Sequence, residues 1–138
     1  MNNATPPCPC GSGLNYAACC ARWHVGDLYL QAPNAEALMR SRYSAFVMEL
    51  GNYLLQTWHP DTRPAQPLQF DAGVRWLGLD VREQRGTGEH SAVVEFVARS
   101  KLGGRASRLH ETSRFVREGG RWYYLGRGQR LSRFRPRA

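Results

Sequence analysis

The chain has 138 residues, 42% of them apolar, with 19 Lys and Arg against 11 Asp and Glu and a net charge of +8. That length supports one ordinary core in a single small domain, and no apolar run approaches the roughly 18 residues that a membrane-crossing helix requires. The charge, carried almost wholly by arginine, favours RNA, DNA, anionic membranes or acidic proteins as partners without choosing among them.

All four cysteines fall in one stretch near the start: Cys8-Pro9-Cys10-Gly11-Ser12-Gly13, then Cys19-Cys20. Four thiolates complete a tetrahedral shell around Zn²⁺ and leave no position for water or substrate, so the expectation is a structural metal, not a catalytic one. Pro9 favours extended backbone at Cys8, and the glycines permit a sharp turn that brings backbone N–H groups to sulfur. Asn15 is placed to cap a short helix from Tyr16 that carries the second cysteine pair. His24, four residues past Cys20, could substitute for it as a ligand. Two disulfides, redox or acyl-transfer chemistry and an iron–sulfur cluster are the alternatives. The first residues, Met-Asn-Asn-Ala-Thr-Pro-Pro, have neither a basic nor an apolar export region, so the expected compartment is the cytoplasm, where thiols stay reduced.

After Pro33, Asn34 can cap a helix with Glu36 in its first turn. Met39, Tyr43, Phe46, Val47, Leu50 and Leu54 recur at three- and four-residue intervals, which predicts an apolar helical stripe interrupted or re-capped near Gly51-Asn52. A second short helix carries Tyr53, Leu54 and Trp58 and ends before Pro60. Arg40 and Arg42 read as a solvated or salt-bridged face, or as an anchor from the knuckle to the body through a carboxylate. Residues 62–71, with Pro64 and Pro67, read as a loop.

From Val74 the period becomes two, with Leu77, Leu79 and Val81 opposite Trp76, Gly78 and Asp80; Ala92 to Ala98, Leu109 to Val116 and Trp122 to Leu125 follow. Gly86-Thr87-Gly88, Gly103-Gly104 and Gly119-Gly120 supply the turns, so four antiparallel strands form a meander with the helices on one face, an α+β fold. The expected division is a zinc-binding motif over 1–28 and an α+β domain over 29–138. Arg127, Arg130, Arg133, Arg135 and Arg137, with Phe134 and Pro136 between them, form a basic tail suited to RNA or a ribosomal surface, or merely to solubility.

Cys-Pro-Cys-Gly-Ser-Gly through Cys-Cys resembles the SEC-C motif, in which the last ligand is often His where this chain has Cys20. Leu38-Met39-Arg40-Ser41-Arg42-Tyr43-Ser44-Ala45-Phe46, Thr57-Trp58-His59-Pro60, Trp76-Leu77-Gly78-Leu79, Ser113-Arg114-Phe115 and Trp122-Tyr123-Tyr124 resemble the bacterial YchJ family. The resemblance implies a nuclear transport factor 2-like, or cystatin-like, cone of helices on a curved four-stranded sheet, with a homodimer possible through the open sheet face. Such a cone often encloses a pocket, for which Tyr43, Trp58, His59, Trp76, His110, Glu111 and Trp122 are candidates. Ordinary structural duties compete for each of them: core packing for the tryptophans, a helix-end contact for His59 and an arginine partner for Glu111. His110 and Glu111, adjacent on a strand, point to opposite faces. Three readings stand: a zinc-stabilised adapter that binds a protein partner through the knuckle, an enzyme or ligand-binding protein using the pocket with His59 or Glu111 moving a proton, and an RNA- or ribosome-associated factor acting through the tail.

Overall fold

The structure is a computed structural model that describes residues 6–128. A 3₁₀ turn at Tyr16–Ala18 leads into α1 (Ala21–His24), followed by α2 (Ala35–Val47), α3 (Gly51–Gln56), β1 (Arg75–Gly88), β2 (Ser91–Leu102), β3 (Arg105–Glu118) and β4 (Arg121–Arg127). The strands pair antiparallel in the order β1-β2-β3-β4, which is the expected α+β architecture.

Asn34 starts α2 as its side chain predicts: Oδ1 accepts from the Ala37 N–H at 2.8 Å, and Glu36 occupies the first turn. The helix ends where Glu49 takes φ 57°, a left-handed conformation in which Leu50 N–H closes on the Ala45 carbonyl at 2.8 Å. The chain then re-enters a helix at Gly51. That second helix is shorter than its apolar spacing suggests, because Trp58 leaves it to join the sheet. Tyr124 N–H donates to the Thr57 carbonyl and His59 N–H to the Tyr124 carbonyl, both at 2.8 Å, so residues 57–59 run parallel to β4 and cover its free edge.

Alternation sends Ala92, Val94, Phe96 and Ala98 toward the helices, where they are buried with Leu38, Tyr43, Leu54 and Phe115. Two departures from simple alternation stand out. The first hairpin turns at Glu89-His90, so Gly86 and Gly88 are still paired within β1. A β-bulge between Trp76 and Gly78 adds one residue to β1, which turns Trp76 inward against Tyr43 and Phe46 and leaves Leu77 52% exposed. The two residues therefore trade the faces that strict alternation gives them.

Candidate metal centre

Pro7 and Asn15 pair across the base of a short loop, and Cys8 N–H donates to the Leu14 carbonyl, so the Cys8–Gly13 turn folds back on itself. Gly11 and Gly13 take φ 80° and 88°, conformations that a side chain would strain. The 3₁₀ turn then brings Cys19 and Cys20 to the same place, Cys20 at the start of α1. Asn15 flanks the 3₁₀ turn but makes no side-chain cap. Position alone delivers the second cysteine pair.

All four Sγ atoms lie within 4.8 Å of one another and all four residues are buried. Cys10 and Cys19 are 3.6 Å apart and Cys19 and Cys20 4.0 Å. Bonds of about 2.3 Å to a central Zn²⁺ require sulfur–sulfur edges of about 3.8 Å, and the thiols are free, not paired as disulfides. The donor set thus fits a tetrahedral thiophilic ion. The neighbouring Cys20 sulfur foremost, and then hydrogen bonds from Ser12, hold the Cys10 thiol below its usual value against the opposing effect of burial. The nearby Cys10 sulfur, followed by burial, pushes the Cys20 thiol up, and burial pushes up Cys19. Crowded sulfurs resist further ionisation one by one until a cation neutralises them together.

The shell around the sulfurs is equally built. Ser12 Oγ accepts from the Leu14 N–H, which leaves its proton for Cys19 Sγ at 3.1 Å. Ser44, from α2, donates to Cys20 Sγ at 3.4 Å and lies 3.5 Å from Cys8 Sγ. Arg22 Nε donates to the Cys19 carbonyl at 2.9 Å, and Arg40 Nη1 to the Cys10 carbonyl at 2.8 Å while its Nε pairs with Glu36. Two guanidiniums therefore face a centre that four thiolates and one divalent ion would leave at about −2. Arg40 is the tie from body to knuckle that the sequence allows, but it grips a carbonyl. Ser44 and Arg22 were not singled out from the sequence. The Ser44 contacts cross 24 and 36 residues, a separation that local spacing does not encode.

His24 is turned away from the sulfurs. Its Nε2–H donates to the Ser41 carbonyl at 2.8 Å, so Nδ1 accepts from the Tyr16 hydroxyl at 2.7 Å. The ring is a strut between knuckle and α2.

The seven pocket candidates divide among separate contacts. Tyr43 packs edge-on to Trp76 with ring centres 5.6 Å apart, and Trp58 packs edge-on to Tyr124 at 5.2 Å. Asp61 N–H donates to His59 Nδ1 and His59 Nε2–H donates to Glu118 at 2.9 Å, so both its ring nitrogens are engaged. Glu111 pairs with Arg127 at 3.1 Å, His110 with Glu95 at 2.6 Å across the opposite sheet face, and Trp122 lies under Arg117. Of the tail, Arg127 is described; Arg130, Arg133, Arg135 and Arg137 lie outside the described residues. No helix among the described residues is long and apolar enough to cross a membrane.

Known proteins match both parts of this architecture. The family described as YchJ, middle NTF2-like domain, matches residues 34–127, and the SEC-C motif matches residues 7–22. A UPF0225 protein of Bordetella pertussis is 58% identical over 118 residues, covering 86% of this chain and 89% of its own length. One of Methylibium petroleiphilum is 61% identical over 123 residues, covering 89% and 88%. The solution structure of a SEC-C motif containing protein from Rhodopseudomonas palustris superposes with a TM-score of 0.75 at 32% identity, covering 88% of this chain and 96% of that one. A crystal structure of another, from Psychrobacter arcticus, gives 0.72 at 31%, covering 88% and 80%. The chain belongs to the YchJ family.

Proposed function

We propose that this YchJ-family chain is a zinc-stabilised binding module, in which an ion held by Cys8, Cys10, Cys19 and Cys20 fixes the amino-terminal knuckle as a rigid surface for a protein partner. The observation that carries this reading is the closed, buried four-sulfur cluster. Zn²⁺ bound there supplies a structural cross-link and, its shell being full, no site for substrate. The chain's own residues do the rest: Ser12 and Ser44 orient the sulfurs, and Arg22 and Arg40 brace the carbonyls of two of the four cysteines. Docking is supported by what the knuckle and the segment after it show to solvent. Leu14, Val25 and Leu28 are 50%, 66% and 50% exposed, an unusual apolar display for so short a stretch.

The test is affinity co-purification from cell extract with the parent chain and a Leu14→Ser, Val25→Ser, Leu28→Ser variant, each checked for metal content. The expected result is unchanged metal and a partner recovered with the parent but lost with the variant. Equal recovery from both, or from Cys8→Ser and Cys19→Ser chains, contradicts the reading.

A further inference from the structure

The sheet face turned away from the helices divides by charge. Strand pairing places Arg99 directly opposite Arg108, and Lys101 opposite Arg75 on its other side. Paired residues share a face, as do Arg99 and Lys101 two apart, and Ala98, next to Arg99, is buried toward the helices, so all four cations project outward together. All four are exposed, and among the described residues none is in an ion pair.

Elsewhere on the same face two groups have carboxylate partners. Arg82 pairs with Asp80 at 2.7 Å, and His110 hydrogen-bonds to Glu95 at 2.6 Å. Like charges directly opposed across strands destabilise a sheet, and Arg99 facing Arg108 incurs that cost without a carboxylate beside it. An external anion removes it.

We infer that Arg75, Arg99, Lys101 and Arg108 form a docking surface for the phosphate backbone of a nucleic acid. Strands about 4.8 Å apart and side chains about 7 Å apart along each strand hold the charges at fixed spacing on a stiff support, which suits a regularly charged polymer. Three of the four are guanidiniums, whose planar fork takes two phosphate oxygens at once. No Trp, Tyr or Phe lies among their cross-strand partners or same-face neighbours to anchor in a bilayer or to stack on bases. Recognition is therefore electrostatic and indifferent to sequence. The surface is separate from the cysteine cluster and stands whether or not the knuckle has a protein partner.

The experiment is fluorescence anisotropy of the full-length, metal-replete chain with a labelled oligouridylate and a labelled DNA duplex, between 50 and 200 mM salt. Four phosphate contacts give a log–log salt slope of about −2.8 for the single strand and about −3.6 for the duplex. Arg99→Gln/Arg108→Gln is expected to make the slope shallower by about 1.4 and 1.8 respectively and to weaken binding about tenfold at 100 mM salt. The same variant is expected to melt higher than the parent, because the opposed charges are gone; a variant that weakens binding by misfolding melts lower. Arg82→Gln, which removes a neutralised arginine from the same sheet, is expected to leave the slope unchanged. Absence of binding by the parent overturns the inference, as does a slope indifferent to Arg99 and Arg108. So does patch-dependent binding to phosphatidylglycerol vesicles alongside patch-independent binding to both nucleic acids.

Discussion

Gly11 and Gly13 share a left-handed backbone but not a neighbourhood. A Cβ on Gly11 would meet the Leu79 carbonyl oxygen at 3.0 Å, whereas one on Gly13 meets nothing within 4 Å. Both alanine substitutions carry about 1–2 kcal/mol of backbone strain, and only Gly11→Ala also pushes the knuckle off β1. Gly11→Ala is therefore expected to lower the urea midpoint more than Gly13→Ala and to release metal faster to a chromogenic chelator. Arg42 is the other residue whose setting sets its cost. It is 4% exposed with no carboxylate partner among the described residues; Nη1 donates to the Leu54 carbonyl and the Thr57 hydroxyl, and the guanidinium lies 4.4 Å over the Tyr124 ring. Burial drags it down to about 10. Arg42→Ala leaves a cavity and an unmatched carbonyl, so the expected loss is about 3 kcal/mol or more, read by urea unfolding. The clustering of the four cysteines was legible in the sequence because all four thiols are neighbours there. Arg42 was not: an Arg-x-Arg on a helix looks like surface, and only Trp58 and Tyr124 arriving from elsewhere make it interior.

At the scale of elements, the strand and helix periods were legible and their interruptions were not. Glycine pairs marked two of the three hairpin turns, but the first turn used Glu89-His90, since nothing local stops a glycine from remaining in a ladder. The bulge at Trp76–Gly78 inverted the faces of Trp76 and Leu77 because tertiary packing of the larger ring on Tyr43 outweighs alternation. Trp58 followed the same rule, leaving helical spacing for an edge pairing and a contact with Tyr124. Between α2 and α3 the left-handed position is Glu49, two residues before Gly51. Glu49→Gly relieves about 1–2 kcal/mol of strain and costs about 0.5–1 kcal/mol in chain entropy. A net gain between zero and about 1.5 kcal/mol is expected from the shift in urea midpoint; a clear loss would show that the Glu49 side chain holds the junction.

Across the whole molecule, knuckle and body are joined more closely than a division at residue 28 suggests. The cysteines and Trp23 belong to the same buried cluster as Leu38, Tyr53 and Phe115, and His24, Ser44 and Arg40 cross the boundary with hydrogen bonds. The sheet nevertheless completes its own ladder without the knuckle. Chelation is expected to abolish amide-exchange protection over residues 6–30 and to weaken it on α2 around Ser41 and Ser44, while β2 and β3 stay protected. Loss of protection throughout the sheet would show that the knuckle is indispensable to the entire core.

Native mass spectrometry of the reduced, full-length protein tests the metal centre most directly. One zinc ion per chain is expected for the parent, with binding abolished or sharply weakened in Cys10→Ser and Cys20→Ser; a folded parent chain that carries no ion after purification with zinc present contradicts the account.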